Sequence, residues 1–352
     1  MSALARIDEL GGRYYDKGIC RNAIEIVKDY GANLIRLRLF NDPFTEDGRE
    51  YGGGICNLEY LKRNIDYCKR YSLDYLLDFH YSDFWADPGK QTMPKAWVNK
   101  NIDELEKLVY EFTIDTLKKL DLKPKIVQIG NEITNGMLWP VGHVSNFSNL
   151  VRLVNSGIRA VRDFDSSIKI MIHLDDGTNS RMYSTWFDSY FRLGGMDFDY
   201  IGMSHYLIWN DSLSALIRNI SDVYNTYGKE VIIAETSYPF SRDDYRENIP
   251  EEERKRMASK KELMDKLEYG VSKEAQCAFY KDLLQMIKET EGLVGFIYWG
   301  GELIPKNGSS WSSYEGIEYT KEKGPIGNEW ANQAVFDYDG NSLPVLEVIK
   351  GA

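Results

Sequence analysis

Histidine and cysteine are scarce in this 352-residue chain, with four of each. Cys20, Cys56, Cys68 and Cys277 form no CxxC or CxxH pair, so neither a zinc site nor a disulfide framework is indicated. No HxH occurs, the spacing with which metal-dependent barrel hydrolases chelate from one strand face. No metal and no other cofactor are therefore expected, and a metal-dependent hydrolase clustering His80, His173 and His205 is the weaker reading. A G-x-S-x-G elbow for a nucleophilic serine is missing too. So is a Gly-rich phosphate loop after any strand-like run. Basic residues are in the minority: 43 Lys and Arg against 54 Asp and Glu leave a net charge of -11. That balance argues against a nucleic-acid partner and disfavours anionic substrates, leaving a neutral one as the best fit. No run approaches about 18 consecutive apolar residues, so no membrane partner is expected. Met1-Ser2-Ala3-Leu4 shows no basic region followed by an apolar stretch, which reads as a cytoplasmic chain or one whose leader has been removed.

Aromatic residues are plentiful: eight Trp and 24 Tyr help bring their share to 13%. Strand-like runs recur at 34–39, 75–79, 126–129, 168–174, 200–203, 231–234 and 293–298. Between them, 57–71, 104–120, 150–164 and 275–288 carry apolar residues at three- and four-residue spacing, the mark of amphipathic helices. Alternating strands and helices imply a parallel sheet. With an eighth strand around Ser2 to Ala5, the pattern predicts a single-domain (β/α)8 TIM barrel over residues 1–352. A doubly wound sheet is the runner-up, disfavoured because no phosphate loop is present. Residues 241–276, dense in charge, read as a solvated insertion after the strand that carries Glu235.

Two apolar runs stop on glutamates: Ile126-Val-Gln-Ile-Gly-Asn-Glu132 and Val231-Ile-Ile-Ala-Glu235. A core-facing strand end rarely tolerates an unpaired charge. Two such ends in one barrel suggest two acids in one pocket, the arrangement glycoside hydrolysis needs. Barrel sites are built at C-terminal strand ends, and those ends supply the other candidates. Arg36 and Arg38 share a face by the two-residue period. Asp78, His80, Asp83 and Trp85 follow the run at 75–79, and Asn131 precedes Glu132. His173 and Asp175 end the run at 168–174. His205, Tyr206 and Trp209 follow 200–203, and Trp299 follows 293–298.

These stretches resemble a known family. Asp78-Phe-His-Tyr-Ser-Asp-Phe-Trp-Ala-Asp-Pro-Gly-Lys-Gln91 and Val127-Gln-Ile-Gly-Asn-Glu-Ile-Thr-Asn-Gly-Met-Leu-Trp-Pro140 are similar to signature blocks of glycoside hydrolase family 53. Ile35-Arg-Leu-Arg-Leu39, Ile233-Ala-Glu-Thr-Ser-Tyr-Pro239 and Trp330-Ala-Asn-Gln-Ala-Val-Phe-Asp-Tyr-Asp-Gly-Asn341 match further blocks. The family comprises endo-β-1,4-galactanases that cut the galactan of type I arabinogalactan, so the resemblance implies a retaining barrel enzyme, secreted or at the cell surface, acting as a monomer on galactan or galacto-oligosaccharides. It implies Glu132 as acid/base and Glu235 as nucleophile, with carboxyls roughly 5–5.5 Å apart and Glu132 protonated at rest. Asn131 would bind the sugar 2-hydroxyl, Arg36 or Arg38 would hold Glu235 ionised, and Tyr206 would orient it. His80, Trp85, Trp209 and Trp299 would line sugar subsites. The chain departs from the family pattern at Ser204-His-Tyr-Leu-Ile-Trp-Asn210 and Tyr298-Trp-Gly-Gly-Glu-Leu303, which implies altered subsites around the same chemistry. The alternatives are an exo-acting or oligosaccharide-preferring β-galactosidase on this scaffold and a non-catalytic galactan-binding protein.

Overall fold

A computed structural model describes residues 1–242, 260–306, 308–309, 311–321 and 330–351. Seven strands form the central sheet: β1 Leu34–Leu39, β2 Asp74–Phe79, β3 Ile126–Ile129, β4 Lys169–Leu174, β5 Tyr200–Ser204, β6 Glu230–Thr236 and β7 Leu293–Tyr298. They pair in parallel and in chain order from β1 to β7. A doubly wound sheet would reverse its strand order at a switch point. This one never does, so the fold is of the (β/α)8-barrel class.

The helices on the outer face are α1 Leu4–Glu9, α2 Ala23–Asp29, α3 Leu58–Tyr71, α4 Ile102–Lys118, α5 Phe147–Phe164, α6 Ser180–Arg192, α7 Leu213–Tyr227 and, among shorter pieces, α8 Lys273–Glu289. Side chains cap several of them where a polar residue precedes the apolar stripe. Asn57 accepts from the Tyr60 amide ahead of α3, and Asn101 and Glu104 form a reciprocal capping box on α4. Among the described residues, no helix is long and apolar enough to cross a membrane.

Strand alternation sorts the core into two parts. Leu76, Ile126, Met171 and Ile232 point into the barrel and close its lower end, with Leu34, Tyr200 and Ile297 packed on them. The intervening residues, such as Leu37, Leu77, Val127, Ile172, Ile201 and Ile233, face outward and pack under the helices.

The expected strand at Ser2 to Ala5 is not there. Residues from Leu4 are helical, with Leu4, Ala5 and Ile7 buried at helical spacing. The Ala5 amide donates to Asn64 Oδ1 of α3, and the Ser2 hydroxyl accepts from the Arg38 amide. Among the described residues the sheet thus has seven strands, and a cavity of about 380 Å³, lined by Leu34, Phe296 and Ile297 among others, lies between β1 and β7. Val294 of β7 is 47% exposed, unusual for a barrel strand. Of the charged segment 241–276, residues 243–259 lie outside the described residues.

The last stretch of chain returns to the barrel mouth. The Phe240 amide donates to the Asn332 carbonyl and the Val335 amide to the Gly301 carbonyl. Gln276 of α8 donates to the carbonyls of Tyr238 and Ala334. These bonds bring Trp330 to the ends of β6 and β7.

Candidate active site

The floor of the barrel mouth is organised by one cation. Arg36 is buried, on the inward face of β1 above Leu34, and a buried guanidinium needs partners for its donors. Its Nε donates to Gln128 Oε1 at 3.0 Å, and NH1 to Glu235 Oε1 at 2.7 Å. NH2 reaches Asn131 Oδ1 at 2.7 Å and Asp78 Oδ2 at 2.8 Å. Burial opposes the charge, but the fields of Asp78 and Glu235 outweigh it and raise the Arg36 pKa. Asp78 is likewise penalised by burial, yet Arg36 and His80 hold its carboxyl below the usual range. His80 Nδ1 accepts from the Ala86 amide, so Nε2 carries the hydrogen given to Asp78 Oδ2 at 3.0 Å. Burial pushes its pKa down and keeps the ring neutral.

Glu235 reaches this layer through an irregularity. Ala234 already points into the barrel, so a strict two-residue period would turn Glu235 outward. Register shifts between Ile233 and Glu235 against β5, and between Ile233 and Thr236 against β7, turn it back in. Each carboxylate oxygen then has its own donor, Arg36 on Oε1 and the Tyr206 hydroxyl on Oε2 at 2.9 Å. Burial and the charge of Glu235 push the Tyr206 pKa well up, so it remains a donor.

Glu132 is presented by a kinked backbone. Gly130 has φ +75° and Glu132 itself φ +46°, a left-handed conformation that costs a non-glycine residue of order 1 kcal/mol or more. Gln91 Nε2 steadies the turn, lying 2.8 Å from the Asn131 carbonyl and 3.3 Å from that of Glu132. Glu132 Oε1 lies 2.6 Å from Ser204 Oγ. Burial first, then the field of Glu235, raises the Glu132 pKa well above the ordinary value. The two glutamates thus sit in environments of opposite sense, one ringed by donors and one desolvated beside a negative charge.

Above them opens a cleft of about 360 Å³ whose lining includes Glu132, Glu235, Asn131, Ser204 and Tyr206. Its walls are largely indole. Trp299 and Trp330 meet edge to face with centroids 4.9 Å apart, and Trp209 meets Trp330 at 5.4 Å. Trp85 stacks on Trp311 at 5.2 Å. Trp209 is 52% exposed, an aromatic face offered to the cleft. Asp87, Asp175 and Asp176 also line it. Burial raises the Asp175 pKa, while a hydrogen bond from Thr134 opposes the shift.

Of the residues singled out in the sequence, Trp85, Asn131, Glu132, Asp175, Tyr206, Trp209, Glu235 and Trp299 line the cleft. Arg36, Asp78, His80 and His173 form the polar layer beneath it. Three others lie elsewhere. Between the two arginines, Arg36 is the one bonded to Glu235, whereas Arg38 lies 4.0 Å from the Trp85 ring centroid. Asp83 is buried as a loop staple, accepting from the Asp42 amide at 2.9 Å and the Lys95 amide at 2.8 Å. His205 is fully buried just past the end of β5 and, unlike Tyr206, does not line the cleft. Neither of its ring nitrogens has a hydrogen-bond partner among the described residues, and burial pushes it down to about 4. Ser204, Gln128, Trp311 and Trp330 were not singled out. Ser204 and Gln128 lie at inward positions on β5 and β3 that alternation marks, while the two tryptophans come from irregular segments far along the chain. Among the described residues, no group of three or more His, Cys, Asp or Glu side chains is placed to hold a metal ion.

Known proteins share this sequence and architecture. The sequence profile described as "Glycosyl hydrolase family 53" matches residues 1–349. An uncharacterised protein from the bgaB 5' region of Niallia circulans is 37% identical, over 99% of this chain and 92% of its own. An endo-beta-1,4-galactanase of Bacillus subtilis (strain 168) is 31% identical, over 100% of this chain and 84% of its own. The solved GH53 catalytic domain of Ignisphaera aggregans superposes with a TM-score of 0.89 at 38% identity, covering 99% of this chain and 93% of that one. With the profile spanning nearly every residue and the barrel matching in three dimensions, this chain belongs to glycosyl hydrolase family 53.

Proposed function

We propose that this protein is an endo-acting β-1,4-galactanase that cleaves neutral galactan with retention of configuration. The reading rests on one observation above the others: two glutamates share a single cleft in contrasting surroundings, one bonded by two donors and the other buried beside a negative charge. Arg36 and Tyr206 donate to both oxygens of Glu235, as a nucleophilic carboxylate needs. Burial and the neighbouring negative charge favour the neutral acid at Glu132, as a proton donor needs.

In the first step Glu235 attacks the anomeric carbon while Glu132 protonates the departing glycosidic oxygen, giving a covalent galactosyl-enzyme. In the second, Glu132 as a carboxylate takes a proton from water as that water displaces Glu235. Asn131, held by Arg36 and by its own bond to the Ala86 carbonyl, stands at the cleft where the sugar 2-hydroxyl would lie. The indole walls suit the apolar faces of galactose rings, and a cleft lined with carboxylates suits an uncharged polymer. The galactanase names carried by relatives of this length and identity support the same substrate.

Hydrolysis of linear β-1,4-galactan with products resolved over time tests the reading. Mixed short oligomers appearing from the first minutes are expected. One product size from the outset would replace endo with exo action, and an untouched polymer would remove galactan as the substrate.

A further inference from the structure

The polar layer beneath the cleft has a direction. Arg36 can only donate, and its bonds to Gln128 Oε1 and Asn131 Oδ1 fix which end of each amide faces it. The opposite ends agree: Asn131 Nδ2 donates to the Ala86 carbonyl at 2.8 Å and Gln128 Nε2 to the Gly130 carbonyl at 2.8 Å. Asn131 Oδ1 is therefore an acceptor held 3.0 Å from His173 Nδ1. A bare Nδ1 would set lone pair against lone pair at that distance, whereas an N–H makes a hydrogen bond. Gln128 Nε2 is 3.2 Å from the same nitrogen, but its second hydrogen has Asn131 Oδ1 at 3.1 Å as an acceptor.

His173 is fully buried, and burial followed by the field of Arg36 holds its pKa well below the ordinary value, so the ring carries a single N–H. With that hydrogen on Nδ1, Nε2 is bare and accepts from Ser204 Oγ, 2.9 Å away. The only hydroxyl hydrogen of Ser204 is then engaged. Across the 2.6 Å contact with Glu132 Oε1, the donor has to be Glu132.

We propose that the chain Arg36–Asn131–His173–Ser204 is a hydrogen-bond polarity device that selects the protonated form of Glu132 in the resting enzyme, with His173 and Ser204 as positioning residues. The proposal rests on the reading of Glu132 as acid/base. When the Glu132 O–H bond breaks and its proton joins the leaving-group oxygen, the Ser204 hydrogen turns from His173 Nε2 to the new carboxylate. When Glu132 takes a proton from the attacking water, Ser204 turns back. No other proton enters or leaves. The charged and titratable groups acting on Glu132 are Glu235 of β6, Asp87 after β2 and Asp175 after β4. Those acting on His173 are Arg36, Asp78 and His80.

Imidazole ¹⁵N NMR on the substrate-free full chain reads the device without any turnover. Nδ1–H with an acceptor Nε2 on His173 is the expected tautomer near neutral pH, and Nε2–H overturns the proposal. A second readout is the pH profile of kcat/KM for His173→Phe. In the proposed device the substitution frees Ser204 to donate to the Glu132 carboxylate, so the basic limb moves to lower pH by about one unit, the worth of one hydrogen bond. A basic limb that stays means that His173 has no hold on Glu132, one that rises means that it had been supporting the carboxylate, and either result overturns the proposal. Failure of the galactanase reading looks different: wild type would leave galactan uncut while the His173 tautomer remained measurable.

Discussion

Replacing His205 by phenylalanine gives the sharpest stability prediction, because the effect depends on pH in a way packing cannot mimic. His205 is fully buried, and neither nitrogen has a partner among the described residues. Its pKa falls from 6.5 to about 4, with burial as the leading cause. A folded-state pKa depressed below the unfolded one means that the unfolded chain binds the proton first. Stability is thus unaffected well above pH 6.5 and is lost as pH falls from there toward about 4. Between pH 7 and pH 5 the loss through this one group is about 2 kcal/mol. At roughly 2.1 cal/mol/K per residue, a chain of 352 residues converts that into ~3 °C of melting temperature. Phenylalanine cannot take the proton. Any repacking it causes is the same at both pH values, and so is the relief, about 1–3 kcal/mol, of no longer burying unpaired nitrogens. Melting both proteins at pH 7 and pH 5 should therefore show a variant-minus-wild-type gap that widens by ~3 °C at the lower pH. An equal gap at both would refute the argument that His205 is held neutral by burial.

Other substitutions separate the remaining roles. Gly202→Ala would place a Cβ 3.0 Å from Met171 Sδ and 3.2 Å from His173 Cβ; a loss of about 1–3 kcal/mol in denaturant unfolding is expected from this overpacking. Arg36→Met leaves Asp78 and Glu235 without their cation and should cost about 3–5 kcal/mol. Arg38→Met gives up mainly a contact with the Trp85 ring and should cost about 1 kcal/mol; equal losses for the two arginines would contradict the assignment of Arg36 as the partner of Glu235. Trp209→Ala removes a half-exposed wall of the cleft, so KM for galactan should rise several-fold while the melting temperature hardly moves.

Much of this architecture was legible in the chain. All seven strands lie where β-branched runs alternate with helical stripes, and the four helices expected from spacing formed within about three residues of their expected ends. Helix α6 was harder to see because Tyr183, Trp186, Phe187 and Tyr190 carry its buried stripe, and aromatic residues are weak helix formers. The segment at Ser2 to Ala5 misled because a short apolar stretch reads equally as strand or helix. At the site, the strand ends named Arg36, Asp78 and His173 as candidates, but the two-residue period could not choose between Arg36 and Arg38, which share a face. It would have pointed Glu235 outward, since the register shifts that turn it inward come from pairing with β5 and β7. Trp330 reaches the cleft through the bonds of Asn332 and Val335 to the ends of β6 and β7, a tertiary placement with no local signal.

The division of labour between the two glutamates is the central claim, and azide rescue with an aryl β-galactobioside tests it most directly. In Glu235→Ala, azide should take the place of the missing nucleophile and yield the α-galactobiosyl azide. In Glu132→Ala, the good leaving group lets the covalent intermediate form unaided, and azide should trap it as the β-azide. A β-azide from Glu235→Ala, or an α-azide from Glu132→Ala, would contradict the assignment of nucleophile and acid/base.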